Sequence, residues 1–315
     1  GAMRPSLVLS AVCIAVCTLT AHAAPLRVCV TGAGGRTGVL CFKKLSERSS
    51  LFAPPIGLVK SDKAAKTLRN AGAKDLQVVR SDVRTSAAIV SALAGKPIDA
   101  LVICTSAVPK IKKLSILKLL LGKLLRRKGG RPEFKFPRFG TPEEVDYYGL
   151  LAQIEAAKQL NIPRVVLVSS MGGTDKDNFL NTIGVKTDGT GGQILMWKRK
   201  GENALVESGL DYTIIHPGGL LDESGGKRRL VLGVDDELLK REVRNIPRED
   251  VAEVCVQSLL CDGARMRAFD IIADPAGEGE ATTDFEGLFA SETRSYDYGK
   301  DPGEPMAALP YGIDI

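Results

Sequence analysis

Short apolar runs alternate with helical patterns along most of the chain. The first run, Leu26–Thr31, leads through a glycine-rich turn into a helical pattern at Thr37–Ser46. Near-continuous apolar strands separated by helices are typical of a parallel sheet that is covered on both faces. The pattern therefore predicts a doubly wound α/β sheet within a single domain, residues 24–290. The further predicted strands are Ile56–Lys60, Leu76–Ser81, Ala100–Thr105, Arg164–Ser170 and Tyr212–His216, and the further predicted helices are Glu143–Leu160 and approximately Lys198–Ser208.

Two segments depart from this alternation. In a basic insert, residues 110–138, apolar side chains keep helical spacing while Lys and Arg occupy the other face, which predicts an amphipathic helix. The tail, residues 291–315, is acidic and rich in Gly and Pro, and we expect it to be poorly ordered. The apolar positions of the insert are Ile111, Leu114, Leu117, Leu120, Leu121, Leu124 and Leu125.

Composition narrows the class of protein. The 315 residues are 44% hydrophobic and 25% charged, which excludes a disordered chain, a collagen-like fibre and a polytopic membrane protein. The net charge is +6, but residues 110–139 alone carry eleven Lys or Arg residues against one acid, Glu133, so the rest of the chain is net negative. A uniformly basic nucleic-acid-binding protein would not have this distribution, and we predict no nucleic-acid partner.

The first 23 residues have the pattern of a targeting segment. The first two resemble a cloning remnant. Arg4 is followed by an apolar run, Leu7–Leu19, and by a small-x-small site that ends at Ala23. This order predicts a signal-type segment cleaved after Ala23. A plain membrane anchor is the alternative, although about 14 apolar-rich residues are few for a transmembrane helix.

The cysteine pattern favours thiols over disulfides. Five cysteines follow the targeting segment, an odd number, and three of them lie in apolar strand or helix patterns, so we interpret them as buried thiols. No C-x-x-C pair or Cys/His cluster predicts a metal site. A targeting segment without a disulfide pattern favours import into an organelle with a reducing interior. The five cysteines are Cys29, Cys41, Cys104, Cys255 and Cys261.

The turn after the first predicted strand carries the main chemical motif. Gly32, Gly35 and Gly38 have the spacing G-x-x-G-x-x-G within Thr31–Gly38, between a strand and a helix. Such glycines allow a tight turn, close approach of the backbone to a pyrophosphate, and close packing of the helix on the strand. The helix N-terminus then offers N–H groups to phosphates. The motif predicts a dinucleotide-binding site.

The end of the second strand distinguishes NADP from NAD. NAD sites place an acidic residue there for the ribose 2′-hydroxyl, whereas this chain has Lys60. Arg36 in the glycine turn adds a second cation, and two cations favour the 2′-phosphate of NADP. A solvated surface charge is the alternative interpretation of Lys60. We expect Asp82 beside the adenine, and the segment 105–107 beside the nicotinamide ribose.

Seven ordered stretches of sequence together resemble one family. They are Thr31–Gly38, Cys104–Lys110, Gly129–Phe134, Val168–Thr174, Ile194–Lys200, Ser208–Asp222 and Ile246–Cys255. Over roughly Leu26–Ala290 the chain resembles the atypical short-chain dehydrogenases/reductases, and it is most similar to small plant and algal NADP-binding members. The resemblance implies a Rossmann-like fold, a bound NADP, an unidentified small-molecule substrate and a plastid location.

The resemblance also implies where catalytic residues stand. The superfamily uses a Tyr-x-x-x-Lys pair with a serine, in which the lysine binds the nicotinamide ribose and lowers the pKa of the tyrosine. Lys198 takes the lysine position, and Ser170 or Ser169 takes the serine position. Ile194 stands where the tyrosine is expected, so the usual proton donor is missing. We interpret the tyrosines at 147, 148 and 212 as packing residues.

His216 is the single imidazole of the predicted domain, at the end of a predicted strand. It could reach the nicotinamide, and a hydrogen-bonded structural role is the alternative that we favour. The predicted cofactor contacts are Gly32, Gly34, Gly35, Arg36, Thr37, Gly38, Lys60, Asp82, Val83, Thr105, Ser106, Ala107, Lys198, His216, Pro217, Gly218 and Gly219.

Two functions therefore stay open. The first is an NADP(H)-dependent oxidoreductase with an unusual or absent proton donor. The second is a non-catalytic, NADP(H)-sensing scaffold that attaches through the basic helix, residues 111–128, to a membrane surface or an acidic protein partner. The resemblance extends to relatives that act at the plastid translocon and at photosynthetic membranes, and this implies the scaffold function as a second possibility. A lid helix that packs on the substrate side is the third interpretation of the insert.

Overall fold

A computed structural model of the chain describes residues 24–116, 121, 132–300 and 303–305. Its centre is an eight-stranded sheet with the order β10-β12-β8-β7-β4-β1-β2-β3, in which every strand is parallel to its neighbour except β10, which is antiparallel to β12. The strands are β1 (Val28–Thr31), β2 (Ile56–Val59), β3 (Val78–Arg80), β4 (Ala100–Ile103), β5 (Lys110–Ile111), β6 (Phe134–Lys135), β7 (Arg164–Val168), β8 (Asp211–Pro217), β9 (Gly219–Leu221), β10 (Leu230–Gly233), β11 (Asn245–Pro247) and β12 (Arg267–Ala273).

Helices cover both faces of this sheet, which confirms the predicted doubly wound, Rossmann-like α/β fold. Helices α1, α2, α7 and α8 contribute to one apolar cluster, and α3, α4 and α6 contribute to the other. A π-helical turn, Glu143–Tyr148, leads directly into α4. The helices are α1 (Arg36–Glu47), α2 (Asp62–Asn70), α3 (Ser86–Leu93), α4 (Gly149–Gln159), α5 (Phe179–Thr182), α6 (Ile194–Val206), α7 (Arg248–Gln257) and α8 (Phe285–Ala290).

The basic insert begins and ends in a short antiparallel strand pair. Strand β5 pairs with β6, so Ile111 lies in a strand and not in the predicted helix. The backbone N–H of Lys112 donates to the carbonyl of Glu133, and their side chains form an ion pair at 3.0 Å. Residues 113–116 are helical, as predicted. Leu117, Leu120, Leu124 and Leu125 lie outside the described residues, so the amphipathic face of the insert stays a prediction.

The segment 291–300 differs from the expectation of a poorly ordered tail. It folds back against α6 and the end of β8, where the ring of Tyr296 lies 4.6 Å from that of His216. The guanidinium of Arg199 lies 4.0 Å from the centre of the Tyr298 ring. The acidic composition had indicated a segment exposed to solvent. Aromatic anchors and ion pairs such as Arg294 with Glu237 instead hold the segment against the domain.

The two termini of the chain are only partly described. Residues 1–23, with the predicted targeting segment, and residues 301–302 and 306–315 lie outside the described part. None of the helices in the described ranges has the length and apolarity needed to cross a bilayer. The five cysteines that follow the targeting segment are all unpaired thiols, as predicted, and all but Cys104 are buried.

Removing an aromatic anchor of segment 291–300 should destabilise the whole domain. We expect Tyr296→Ala to lower the free energy of unfolding by about 3 kcal/mol, because a buried ring is lost and a cavity forms beside His216. The measurement is urea unfolding followed by circular dichroism. Leu76→Ala is the control, since Leu76 is 91% exposed and its loss should change little. Equal midpoints for the two variants would contradict the packing of this segment.

Candidate functional site

The turn between β1 and α1 brings three backbone segments into contact. Gly32 has φ +66°, and a Cβ there would lie 2.8 Å from the carbonyl oxygen of Cys104. A Cβ on Gly38 would lie 2.3 Å from the carbonyl oxygen of Gly32. Both positions therefore require glycine. Helix α1 begins at Arg36 without a side-chain cap, so its first N–H groups can bind phosphate oxygens.

This turn lies at the topological switch point of the sheet. Strand β1 has β2 on one side and β4 on the other, and in such sheets a cofactor binds across the carboxyl ends at this position. The fully buried Gln153 of α4 connects the two strand ends. It accepts a hydrogen bond from Thr31 Oγ1 (2.6 Å) and donates one to Thr105 Oγ1 (3.2 Å). The carboxyl ends of β1 and β4 form the sides of a groove, and these hydrogen bonds connect the side chains at its floor.

The predicted 2′-phosphate corner contains more charge than the sequence indicated. Lys60 Nζ lies 3.8 Å from the carboxylate of Asp82, and Arg84 Nε bonds both oxygens of that carboxylate at 2.9 and 3.1 Å. The bonds from Arg84 hold the pKa of Asp82 below its usual value. The sequence analysis did not include Arg84 among the cations of this corner. Its position two residues after Asp82 is the signal that could have placed it there. Arg36 is exposed and pairs with Asp222 at 3.1 Å.

An aromatic side chain borders this corner. Phe139 has a left-handed backbone, φ 60°, and an exposed ring. The guanidinium of Arg138 lies 4.8 Å from the ring centre and that of Arg84 lies 5.5 Å from it. The carbonyl oxygen of Phe139 accepts hydrogen bonds from Lys60 and Arg84, each at 3.4 Å. Three cations and one aromatic ring thus surround the end of the groove where we expect the adenosine.

Lys198 is held by a carboxylate that sequence reasoning missed. Its Nζ donates to Asp146 Oδ1 at 2.7 Å, and Asp146 Oδ2 accepts from the backbone N–H of Ala107 at 3.1 Å. Asp146 lies in the π-helical turn before α4 and is buried. Helix α6 begins at Ile194, one turn before Lys198, so isoleucine occupies the position of the family tyrosine on this helix.

The two serines after β7 have different surroundings. Ser169 is buried and its hydroxyl donates to the carboxylate of Glu202. Ser170 is half-buried, its hydroxyl donates to the carbonyl of Met171 at 3.1 Å, and it borders a pocket. Of the two alternatives, Ser170 is the serine whose hydroxyl stands at the accessible surface of the site.

That pocket lies beside the groove, beyond the carboxyl ends of β7 and β8. It has a volume of about 680 Å³, in the range of small-molecule sites. Both signs of charge line it: Asp175 lies on the loop after β7, Arg244 lies just before β11, and Arg248 begins α7. The backbone at Pro217 forms part of its floor. The pocket can therefore accept a polar ligand next to Ser170.

Gly218 has a structural reason to be glycine, and Gly219 contacts the same neighbouring segment through its backbone. A Cβ on Gly218 would lie 2.1 Å from the carbonyl oxygen of Arg244, and the backbone N–H of Gly219 donates to the same oxygen at 2.9 Å. The close approach belongs to the pairing of β9 with β11. These glycines border the pocket, and their contact with a cofactor stays a prediction.

His216 differs from the expectation of a cofactor contact. It is fully buried, its Nε2 lies 3.1 Å from Glu202 Oε2, and its Nδ1 lies 3.4 Å from Asp270 Oδ1. Burial alone would lower the pKa of His216, but the two carboxylates outweigh it and raise that pKa to about 10. Burial raises the pKa of Asp270 to about 6. The structural role, favoured in the sequence analysis, agrees with this geometry.

The tyrosines also pack as interpreted. Tyr212 is buried in the apolar cluster beneath α4 and α6. The Tyr147 ring lies 5.7 Å from Trp197 and 5.0 Å from the Tyr148 ring. In the described part of the chain, no tyrosine precedes Lys198 by one turn of its helix.

The fold and the glycine turn at its switch point define an NAD(P)-binding Rossmann protein, and comparison with known proteins agrees. The chain belongs to the family described as NAD(P)H-binding, which matches residues 32–262. It is 46% identical over 272 residues to an uncharacterised chloroplastic protein of Arabidopsis thaliana, covering 86% of this chain and 77% of that protein.

Two further comparisons extend this result. The chain is 41% identical over 279 residues to sanguinarine reductase of Eschscholzia californica, covering 86% of this chain and 97% of the reductase. Among solved structures it is similar to a putative NAD-dependent epimerase/dehydratase from Bacillus halodurans. That structure has a TM-score of 0.60 and 22% identity, covering 85% of this chain and all of the other, and it supports the fold alone.

The buried His216 should make stability depend on pH. Its folded pKa of about 10 lies above its ordinary value of 6.5, so its contribution is complete below about pH 6.5 and is lost as the pH rises through 10. We expect the free energy of unfolding to fall between pH 7 and 10 by up to about 1.4 kcal/mol per pH unit more in the native protein than in His216→Gln. Urea unfolding across this range measures both slopes, and equal slopes would refute the charged histidine.

Proposed function

We propose that the protein is an NADP(H)-dependent oxidoreductase that exchanges hydride between the nicotinamide and a small substrate in the 680 Å³ pocket. The observation that carries the proposal is the position of Ser170. It borders the pocket at the carboxyl end of β7, next to the groove whose floor holds Lys198. A cofactor that lies across the switch point would place its reactive ring near this border.

The described residues fit NADP in both halves of the groove. The glycine turn and the α1 N-terminus bind the pyrophosphate, and Lys60 with Arg84 attracts the 2′-phosphate. The predicted contacts Asp82 and Val83 border the adenine. Thr105, Ser106 and Ala107 would hold the nicotinamide ribose, and Lys198, which Asp146 orients, would donate a hydrogen bond to it. NADPH, when bound, supplies the hydride.

Ser170 takes over part of the role of the missing tyrosine. With substrate bound, its hydroxyl turns from the carbonyl of Met171 and donates its hydrogen bond to the acceptor atom of the substrate, which it polarises. The proton itself reaches the product from water in the pocket, because Ile194 has no group that can transfer one. Ser169 is a positioning residue here, since its hydroxyl is bound to Glu202 and fixes the end of β7.

The comparisons support the proposal at a coarser level. A relative named as a reductase matches this chain over 97% of the relative's own length, which favours an oxidoreductase. A chloroplastic relative favours a plastid location for this protein. The sequence-based prediction of a targeting segment in residues 1–23 is consistent with import into that organelle.

The cofactor assignment predicts a preference that depends on Lys60. We expect NADPH to bind at least about tenfold more tightly than NADH, equivalent to about 1.4 kcal/mol. Lys60→Ala should weaken NADPH binding more than NADH binding, because one of the two cations proposed to attract the 2′-phosphate is lost and NADH has no such phosphate. Trp197, the single tryptophan, is next to Lys198, so its emission and energy transfer to the reduced nicotinamide report binding. Lys66→Ala, an exposed change on α2, is the control. Equal affinities for the two cofactors would refute the assignment.

Turnover should depend on Ser170. We expect the protein to oxidise NADPH with a member of a panel of quinones and small carbonyl compounds. Ser170→Ala should lower kcat by about 10²-fold with little change in NADPH affinity, because the hydrogen bond to the developing charge is lost. Thr174→Val, which removes a hydroxyl bound to Asp236, is the matched control. Tight NADPH binding without turnover of any compound would overturn the enzymatic proposal.

The scaffold is the second candidate, and the charge of the insert favours it. If the Leu-rich face of residues 111–128 lies in a membrane interface, anionic lipids attract the Lys and Arg side chains. We expect sedimentation with vesicles that contain anionic lipid, lost when residues 111–125 are deleted and weakened by salt. Vesicles of neutral lipid are the control. Binding that is the same for both vesicle types would exclude the electrostatic attachment.

A further inference from the structure

Three thiols meet directly beneath the glycine turn. Cys41 lies on α1, Cys104 follows β4, and Cys255 lies on α7. The sulfur atoms of Cys41 and Cys104 are 3.8 Å apart. Cys41 and Cys255 are buried, whereas Cys104 is partly exposed at the carboxyl end of β4, where the cofactor groove runs. The core of a Rossmann domain does not require three thiols in contact, and the proposed hydride transfer uses none of them.

The same two segments that carry these thiols also form the glycine turn. Cys41 lies one turn after Gly38 on α1, and Gly38 has no space even for a methyl group against Gly32. On the other side, the carbonyl oxygen of Cys104 lies 2.8 Å from the position that a Cβ of Gly32 would take. A change in the spacing between α1 and the end of β4 therefore acts directly on the backbone contacts that hold the glycine turn.

We propose that Cys41 and Cys104 are a site of reversible disulfide formation, and that the disulfide weakens binding of the dinucleotide phosphates by the glycine turn. Bond formation brings the sulfurs from 3.8 Å to about 2.05 Å and restricts the side-chain torsions of both cysteines, so it links α1 covalently to the segment after β4. This disulfide proposal rests on the proposed function, because its effect is measured as a change in NADPH affinity.

The reaction is thiol–disulfide exchange with a small disulfide such as glutathione disulfide. The Cys104 sulfur, after passing its proton to Cys41, attacks one sulfur of the oxidant and releases the first glutathione thiolate, which takes up a proton. The Cys41 thiol then loses its proton and attacks the Cys104 sulfur, releasing the second glutathione. The two protein sulfurs lose two electrons and the one proton that the pair holds, and the two glutathione thiolates that are released take up that proton and one from water.

The electrostatics of the cluster favour this exchange. Hydrogen bonds from Cys104 and then Cys255, with a contribution from Lys44, hold the pKa of Cys41 well below its usual value despite its burial. The pKa of Cys104 is raised correspondingly by its bond to Cys41. Cys41 is therefore the sulfur that carries the negative charge and Cys104 the sulfur that keeps the proton, so Cys41 can act as the base that takes the proton of Cys104 when Cys104 attacks a disulfide.

The test uses the full chain, incubated with glutathione disulfide or with dithiothreitol. Peptide mass mapping identifies the linked cysteines, and NADPH affinity is measured by Trp197 fluorescence. We expect a Cys41–Cys104 link and a loss of NADPH affinity of at least about tenfold, both reversed by dithiothreitol. Bound NADPH should slow the oxidation, because it covers the segment after Cys104.

Variants separate the proposal from a general effect of oxidation. Cys41→Ala and Cys104→Ala should keep their NADPH affinity under oxidant. Cys29→Ala, a buried thiol in the apolar cluster on the opposite face of the sheet, should respond like the native protein. A link that excludes Cys104, or a mapped Cys41–Cys104 link with unchanged affinity, would overturn the proposal. If the reduced protein fails to bind NADPH, the proposed function fails instead, whereas the mapping result still decides whether the thiol pair forms.

Discussion

The absence of space for side chains at the end of β1 is the constraint on which the site depends. Gly32 touches the backbone after β4, and Gly38 touches Gly32 itself. These contacts set both the direction in which α1 leaves the sheet and the width of the groove between β1 and β4. The first N–H groups of α1 and the floor of the groove between β1 and β4 are therefore positioned by one tightly packed turn.

A second organising group is the buried carboxylate of Glu202. It accepts hydrogen bonds from Ser169 and Tyr298, and it faces His216. One acid thus joins the end of β7, the end of β8 and the segment 291–300. Burying such charges costs free energy unless every partner is in place, so the network favours one arrangement of these elements over alternatives. The border of the pocket consequently depends on residues almost a hundred positions away along the chain.

Sequence reasoning reached the parts of the molecule that are encoded locally. The apolar strands, the glycine turn and the helical spacing of Ile194 and Lys198 are patterns within a few residues, and the strand and helix patterns predicted the fold correctly. Asp146 and Glu202 could not be found in this way, because their partners lie 52 and 33 residues away and depend on how helices stack. The ordered structure of segment 291–300 could not be predicted from the sequence for a related reason. Composition indicated solvation, whereas Tyr296 is buried by packing on elements distant in sequence.

The strand pair at the base of the insert has a consequence for how this domain can vary. Because β5 and β6 hold residues 112 and 133 side by side, the ends of the insert are fixed whatever lies between them. Closing a longer loop between fixed ends costs only about 0.6 kcal/mol for each doubling of its length. Segments of different length and chemistry could therefore be exchanged at this position without moving the groove, so one nucleotide-binding core could be directed to different surfaces or partners.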